Sequence, residues 1–217
     1  MPKTVSTVIF DFDGVLVNTG PDIANATNYT LRKLGVRELP PETIISYIGG
    51  GAEPLVRKSL GERADELYEQ ALPMLLDRYS EHYMEETVLY PGARDVLEHY
   101  AQLGKKMGIA TNKVEQIAHD IMDHLEIADY FDIVVGPESV TRRKPDPEAV
   151  NIILDELDTE SADAVMIGDT PADIGAGKAA GTLTCGVTYG FSPAEAIEEA
   201  EPDFILDKIT EMTDHIR

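Results

Sequence analysis

The fold of this chain is decided by residues 8–16, which read VIFDFDGVL. The apolar run at residues 8–10 is typical of a buried β-strand, and it ends in Asp11 and Asp13 followed by a glycine. At a strand end that opens into a glycine turn, we expect the two carboxylates to converge on one pocket. A hard cation such as Mg²⁺, which prefers oxygen ligands, would stabilise such a pair. A hairpin closed by an Asp-Gly turn is the alternative, and this segment alone does not decide between the two.

Length and charge limit the classes of function that fit. The chain has 217 residues, one cysteine (Cys185) and a formal net charge of −22, so one large domain, or a core with a modest second domain, is expected. The acidic balance predicts neither a nucleic-acid partner nor an anionic membrane partner, because both need a basic face. A lone cysteine excludes an intrachain disulfide, and no segment reads as an apolar leader or span, so a cytoplasmic protein is expected.

The apolar runs predict an α/β protein with a doubly wound parallel sheet. After a strand at residues 5–10, the sequence favours almost continuous helix from about 21 to 100, and then strands alternate with helices. The later strands are predicted at 107–110, 133–135, 164–167 and 183–187, and the helices between them at 114–125, 147–157 and 171–180. Short apolar strands separated by helices are typical of a parallel sheet that is covered on both faces.

The long helical block is too long for a single crossover connection. We therefore expect a small helical cap domain at residues 18–83, inserted into an α/β catalytic core made of residues 1–17 and 84–217. Pro73 is expected to kink or divide the helical segment 63–86.

Polar side chains follow further predicted strands, in three groups: Thr111, Asn112 and Lys113; Arg142, Arg143 and Lys144; Asp169 and Asp173. Each group alone is also explained as a helix cap or a solvated basic turn. In open α/β sheets, ligands bind at the carboxyl ends of the strands. The joint occurrence of these groups at such ends therefore favours one active site that binds an anion.

This pattern resembles the haloacid dehalogenase superfamily over nearly the whole chain. Four segments are similar to its four motifs in order: Asp11-x-Asp13-Gly14, then Thr111, then Lys144, then Gly168-Asp169-x-x-x-Asp173. The resemblance implies a Rossmann-type core and a phosphatase that works through an aspartyl-phosphate.

The resemblance also implies a role for each motif residue. Asp11 would be the nucleophile, and Asp13 would protonate the leaving oxygen and then activate water. Mg²⁺ would be held by Asp11, Asp169 and the backbone carbonyl of Asp13, with Asp173 as a further carboxylate. Thr111 and Lys144 would bind the transferring phosphoryl group.

A narrower resemblance is to phosphoglycolate phosphatases, carried by residues 49–58 (GGGAEPLVRK) and 111–113 (TNK). It implies a small phosphorylated metabolite as substrate, with 2-phosphoglycolate among the better ones. Gly50, Asn112 and Lys113 are expected substrate contacts, and Lys113 or Arg57 is expected to offset the substrate carboxylate. The chain departs from the family pattern at two positions, with Asn18 in place of the usual Asp and Asp146 in place of the common His.

Three alternatives are weighed against this hypothesis. A β-phosphoglucomutase-like activity is disfavoured, because residues 51–53 (GAE) stand where that family places a serine–arginine pair. A pyrophosphatase-like activity stays open. A non-catalytic phosphate-binding regulatory protein, which is a different class, is disfavoured because the motif aspartates and Lys144 are all present. The sequence does not indicate the oligomeric state.

Overall fold

The computed structural model describes residues 2–217; Met1, the first residue of the predicted core, lies outside them. The strands in chain order are β1 (Thr7–Phe10), β2 (Val17–Asn18), β3 (Val88–Leu89), β4 (Lys106–Ala110), β5 (Ile133–Val135), β6 (Ala164–Gly168), β7 (Leu183–Val187) and β8 (Phe204–Leu206). The helices are α1 (Gly20–Lys33), α2 (Pro41–Ile45), α3 (Ala52–Leu60), α4 (Ala64–His82), α5 (Ala93–Gln102), α6 (Glu115–His124), α7 (Glu148–Glu156), α8 (Pro171–Ala180), α9 (Ala194–Glu199) and α10 (Met212–His215).

Six strands form one parallel sheet in the order β5-β4-β1-β6-β7-β8. Successive side chains of a strand point to opposite faces of the sheet, and helices cover both faces. Phe10 packs in a cluster that includes Leu97 of α5 and Ile121 of α6. Its neighbour Ile9 packs on the other face, in a cluster that includes Ile153 of α7. The predicted doubly wound parallel sheet is confirmed.

The last strand of the sheet, β8, was not predicted from the sequence. It has three residues, and the side chain of Ile205 at its centre is 42% exposed. Its apolar run, FIL, has only three residues and lies between Asp203 and Asp207, which is too short a signal to indicate a strand by itself.

Helices α1 to α4 form a separate helical insertion (residues 20–82) between β1 and the rest of the sheet. They bury a core of their own, which includes Leu31, Ile44, Leu55 and Leu75. The chain enters and leaves this insertion through the antiparallel pair of β2 and β3, which the sequence did not predict. Each of these two strands has only two residues, too few for a periodic pattern.

Pro73 lies inside α4 and does not divide it. A proline in a helix interior removes one backbone hydrogen bond and costs roughly 3 kcal/mol or more. Contacts of α4 with both α1 and α3 offset this cost. Among residues 2–217, no helix combines the length and the apolar character needed to cross a membrane.

Asp22 joins the first turn of α1 to the segment that leads out of the insertion. Its buried carboxylate accepts hydrogen bonds from Glu86 N at 3.0 Å, from Thr87 N at 2.9 Å and from Thr87 Oγ1 at 2.8 Å. Asp22 also lies at the helix N-terminus, where a negative charge is favourable. One side chain therefore fixes both connections between the insertion and the sheet.

We expect Asp22→Ala to lower the free energy of unfolding by about 2–4 kcal/mol, because it leaves buried donors without an acceptor. Urea denaturation measures this change. Glu69→Ala is the matched control: Glu69 is exposed on α4 and is expected to change stability by less than about 0.5 kcal/mol. Equal stabilities of the two variants would contradict the linking role of Asp22.

Candidate active site

The motif residues meet at one edge of the sheet because the strands that carry them are neighbours. Asp11, Thr111 and Asp169 directly follow β1, β4 and β6, and β1 lies between the other two. The carboxyl ends of parallel strands lie on the same side of the sheet. A cavity of about 260 Å³ lies between this edge and the helical insertion, and Asp11, Asp13 and Thr111 line it.

Lys144 lies at the centre of the site, and its side chain is buried. Its Nζ is 2.9 Å from Asp11 Oδ1 and 2.6 Å from Asp173 Oδ1, and it donates to the backbone oxygen of Ala110 at 2.6 Å. Burial alone would lower the pKa of the lysine, but the two carboxylates raise it above its ordinary value. Lys144 is therefore a fixed positive charge beside Asp11.

The carboxylate of Asp11 is held through one of its two oxygens. Oδ1 accepts a hydrogen bond from Phe12 N at 2.7 Å and contacts Lys144. Within residues 2–217, Oδ2 accepts no hydrogen bond. Burial raises the pKa of Asp11 to about 7 from its ordinary 3.8; Lys144 opposes this rise and Asp173 adds to it. Asp11 lines the cavity, and Oδ2 is the carboxylate oxygen that has no hydrogen-bond partner among the described residues.

Asp169 belongs to a group of three buried carboxylates that fits a metal ion. One oxygen each of Asp11, Asp169 and Asp173 lies within 4.8 Å of the others. Asp169 Oδ2 accepts from Phe191 N at 2.7 Å, whereas the buried Oδ1 has no hydrogen-bond partner among the described residues. Burial, and then the charges of Asp173 and Asp11, raise the pKa of Asp169 well above its ordinary value.

Gly14 and Gly190 lie so close to Asp169 that no residue larger than glycine fits at either position. A Cβ on Gly14 or Gly190 would overlap the carboxylate of Asp169, and Gly14 has a φ of +85°. An unpartnered buried carboxylate oxygen is costly by itself, and Mg²⁺ prefers oxygen ligands. The donor set therefore fits a hard divalent cation.

Asp173 has a second, structural role that the sequence also allowed. Its Oδ2 accepts from Thr170 N at 3.0 Å and Thr170 Oγ1 at 2.7 Å, and Thr170 Oγ1 accepts from Asp173 N at 3.3 Å. This is a capping box at the start of α8. The other oxygen of Asp173 is the one that contacts Lys144, so this carboxylate positions the lysine.

The side chain of Asp13 is held by partners of its own. Thr19 Oγ1 donates to Asp13 Oδ1 at 2.6 Å, and Lys113 Nζ lies 3.1 Å from the same oxygen and 3.2 Å from Oδ2. Lys113 also donates to the hydroxyl of Tyr79 on α4 at 2.8 Å. Burial would lower the pKa of Lys113, but Asp13 and Tyr79 raise it. Thr19 and Lys113 therefore hold Asp13, whereas Lys144 holds Asp11 and Asp173.

Asn112 contacts the helical insertion. Its Nδ2 donates to Gly49 O at 2.7 Å, and Asn112 and Gly49 both line the cavity. Gly50, an expected substrate contact, is exposed and is not part of the cavity wall, whereas Gly49 and Gly51 are. Thr111 is buried, and its Oγ1 accepts from Lys113 N at 3.1 Å.

Both departures from the family pattern have a structural explanation. Asn18 Oδ1 accepts from Gly20 N at 3.3 Å, at the start of α1. Asp146 accepts from Glu148 N at 3.1 Å, at the start of α7, and pairs with Arg142 at 3.0 Å. Each residue orients a local turn outside the group of carboxylates.

Sequence reasoning missed two residues at this site. Tyr79 was not expected at the site, yet its hydroxyl accepts a hydrogen bond from Lys113. Arg143 was only part of a basic cluster, yet it lines the cavity. Neither position carries a local sequence signal, because each contact joins segments far apart in the chain.

Comparisons with known proteins agree with this geometry. Residues 8–187 match the family model described as haloacid dehalogenase-like hydrolase. The chain is 36% identical to a phosphoglycolate phosphatase of Nitrosospira multiformis, over 98% of this chain and 96% of that protein. It is 35% identical to a phosphoglycolate phosphatase of Aquifex aeolicus, over 94% of this chain and 93% of that protein.

The solved structures give the same result for the fold. A haloacid dehalogenase-like hydrolase of Streptococcus pneumoniae superposes with a TM-score of 0.87 at 26% identity, covering 97% of both chains. The family match, the full-length relatives and the sheet topology all agree with the family that the motifs predict. The chain is an enzyme of the haloacid dehalogenase-like hydrolase family.

Proposed function

We propose that this enzyme is a Mg²⁺-dependent phosphatase that hydrolyses a small phosphate monoester, with 2-phosphoglycolate as a preferred substrate. The observation that carries the proposal is the Asp11 carboxylate, which Lys144 fixes in the wall of a cavity that Asp13 also lines. Relatives named phosphoglycolate phosphatase support the choice of substrate. The cavity volume of about 260 Å³ favours a small metabolite, since pockets that bind drug-sized ligands have volumes of roughly 300–1,000 Å³.

In the first step, Asp11 Oδ2 attacks phosphorus. The P–O bond to the leaving group breaks, and an aspartyl-phosphate forms. Lys144 offsets the negative charge that Asp11 and the phosphoryl oxygens bring together, and Thr111, which lines the same cavity, would donate to the phosphoryl group. Both groups are fixed before substrate binds, so little reorganisation is needed.

Asp13 moves the protons. It donates a proton to the leaving oxygen in the first step and removes one from the attacking water in the second, which regenerates Asp11 and releases phosphate. Thr19 and Lys113 hold its carboxylate in place. One residue serves both steps, because the leaving group and the water occupy the same side of phosphorus in turn.

Asp11 and Asp169, with the backbone carbonyl of Asp13, would hold Mg²⁺, and Asp173 would support the site through Lys144. When bound, the ion offsets charge on the phosphoryl oxygens. The unpartnered Oδ1 of Asp169 supports this assignment.

We also propose that residues 18–83 act as a cap domain that closes the site against water. Two contacts bridge the sheet edge and the helical insertion, Asn112 with Gly49 O and Lys113 with the Tyr79 hydroxyl. Closure over a substrate is a common way to exclude water from phosphoryl transfer. The cytoplasmic location and the lack of nucleic-acid and membrane partners stay predictions from the sequence.

The function is tested by measuring kcat/KM for 2-phosphoglycolate, sugar phosphates, nucleoside monophosphates and pyrophosphate, each with Mg²⁺ and with a chelator. We expect 2-phosphoglycolate to lead and the chelator to abolish turnover. A sugar phosphate or pyrophosphate that leads by more than about tenfold, or 1.4 kcal/mol, would overturn the substrate assignment. Phosphate binding without turnover of any substrate would favour the regulatory alternative.

The pKa of Asp11 predicts how stability depends on pH. In the metal-free protein this pKa is about 7, above its ordinary 3.8, so the folded state binds the proton more tightly than the unfolded state. The resulting stabilisation is fully present below about pH 4 and is lost as the pH rises through about 7. We expect the thermal midpoint measured with a chelator to decrease as the pH rises from about 5 to about 8.

Mg²⁺ should reverse this trend, because it binds the ionised carboxylates. The rise in thermal midpoint on adding Mg²⁺ is therefore expected to be larger at about pH 8 than at about pH 5. An equal rise at both pH values would contradict the metal assignment. Asp11→Asn provides the control: it removes one of the two carboxyl groups whose pKa is raised, so the dependence on pH should become weaker.

A further inference from the structure

The side of the cavity formed by the helical insertion is mainly aliphatic. It is built by Ile23, Leu55, Leu72, Leu75 and Leu76. A carboxylate on the leaving group of a substrate would be strongly destabilised against such a wall unless a cation or another donor met it. The cations that line the cavity therefore decide where such a group binds.

Lys113 is already engaged with other groups. Its ammonium group contacts both oxygens of Asp13 and the hydroxyl of Tyr79. A substrate carboxylate would have to compete with the charge of Asp13 for this lysine. Lys113 therefore serves better to hold Asp13 than to receive the leaving group.

Arg57, the other cation expected from the sequence, does not line the cavity. It lies over the ring of Tyr68 at 4.1 Å from the ring centroid, and it pairs with Glu53 at 3.3 Å and with Asp65 at 3.8 Å. These partners lie on α3 and α4 of the insertion. Arg57 therefore stabilises the insertion itself.

Arg143 is the remaining cation of the cavity wall. Among residues 2–217 no carboxylate lies within 4.0 Å of it, although its neighbours Arg142 and Lys144 both have such partners. Its guanidinium lies against Gly51 of the insertion, where a Cβ would come within 2.5 Å of Nη1. Gly51 has a φ of +86°, so a glycine there serves both the turn and the close approach of the arginine.

We propose that Arg143 is the specificity-determining residue that binds the carboxylate of the leaving group. This inference rests on the proposed function. Lys144 contacts Asp11, which lines the cavity, and the adjacent Arg143 brings an unpaired cation to the cavity wall. A guanidinium binds a carboxylate through two parallel hydrogen bonds. The short aliphatic body between phosphate and carboxylate then lies against the apolar wall.

The test compares two substrates that differ only at the end of the leaving group, which is a carboxylate in 2-phosphoglycolate and an uncharged hydroxymethyl group in 2-hydroxyethyl phosphate. In Arg143→Gln we expect kcat/KM for 2-phosphoglycolate to fall by about 10–100-fold, mainly through KM, because a charge-assisted pair is lost. For 2-hydroxyethyl phosphate we expect a change of less than about threefold. The preference of the wild type for the carboxylate is therefore expected to disappear.

Arg142→Gln is the matched control. Arg142 is the adjacent residue, its side chain is 75% exposed, and it pairs with Asp146 outside the cavity wall. We expect this variant to keep the ratio of kcat/KM for the two substrates. Thermal midpoints of both variants should equal that of the wild type, since both side chains are exposed.

The outcomes separate this inference from the proposed function. If Arg143→Gln lowers kcat/KM equally for both substrates, or lowers it for neither, the role of Arg143 is overturned. The phosphatase assignment would remain intact. A wild type that turns over neither substrate while it hydrolyses other phosphate esters would instead overturn the substrate on which the inference rests. Selective loss in Arg143→Gln alone would support it.

Discussion

Asp11→Asn is expected to reduce kcat/KM by roughly 10⁴-fold or more, since loss of a nucleophile removes the covalent step. The amide keeps the size of the side chain and can still contact Lys144 and Phe12 N, so the site should keep its shape. Steady-state kinetics over a range of substrate concentrations in the presence of Mg²⁺ measure the loss. A variant that keeps more than about one tenth of the activity would contradict the role of Asp11.

The same variant should not lose stability. The raised pKa of Asp11 means that its charged form is disfavoured in the folded, metal-free protein, chiefly through burial. We therefore expect the thermal midpoint of metal-free Asp11→Asn at about pH 8 to equal or exceed that of the wild type. A lower midpoint would show that the lost activity reflects damage to the fold.

Lys144→Met is expected to lose both activity and stability. Asp11, Asp169 and Asp173 would then lie together with no cation among them, and removing one partner of a buried ion pair typically costs about 3–5 kcal/mol. Catalysis should fall by at least about 10²–10³-fold, because a fixed charge at the phosphoryl group is lost. Urea denaturation and kinetics measure the two effects.

In Lys144→Met, we expect added Mg²⁺ to affect stability and activity differently. Added ion should restore part of the lost stability by offsetting the carboxylates, but activity should stay low. Lys33→Met, at an exposed lysine of α1, is the control and should change neither quantity. Full activity in Lys144→Met would mean that the basic turn is only structural.

The sheet and the motif residues were predictable because their causes are local. The apolar run before Asp11 predicts a buried strand, and parallel strands bring Asp11, Thr111 and Asp169 to one edge. The residues alone indicated Lys144 only as one of three basic side chains, and its particular role was implied by the family resemblance, because its contacts with Asp11 and Asp173 join three distant segments. The sequence did not predict β8, whose central residue is exposed.

The leaving-group side of the cavity could not be predicted for the same reason. Lys113 and Arg57 were the expected partners of the substrate carboxylate, but the fold pairs Lys113 with Asp13 and turns Arg57 toward Glu53. Tyr79 reaches Lys113 from the insertion, and Gly51 leaves space for Arg143. Such contacts depend on how the insertion packs over the sheet, which no periodic pattern encodes.

The most direct test of the central claim, that Asp11 carries the phosphoryl group, uses Asp13→Asn with p-nitrophenyl phosphate and Mg²⁺. Nitrophenolate leaves without a proton, whereas the second step still needs Asp13 to activate water. We expect a burst of about one nitrophenolate per active site, then very slow turnover, with a phosphoryl group on the peptide that contains Asp11. Fast steady turnover, or a phosphoryl group on any other residue, would contradict the mechanism.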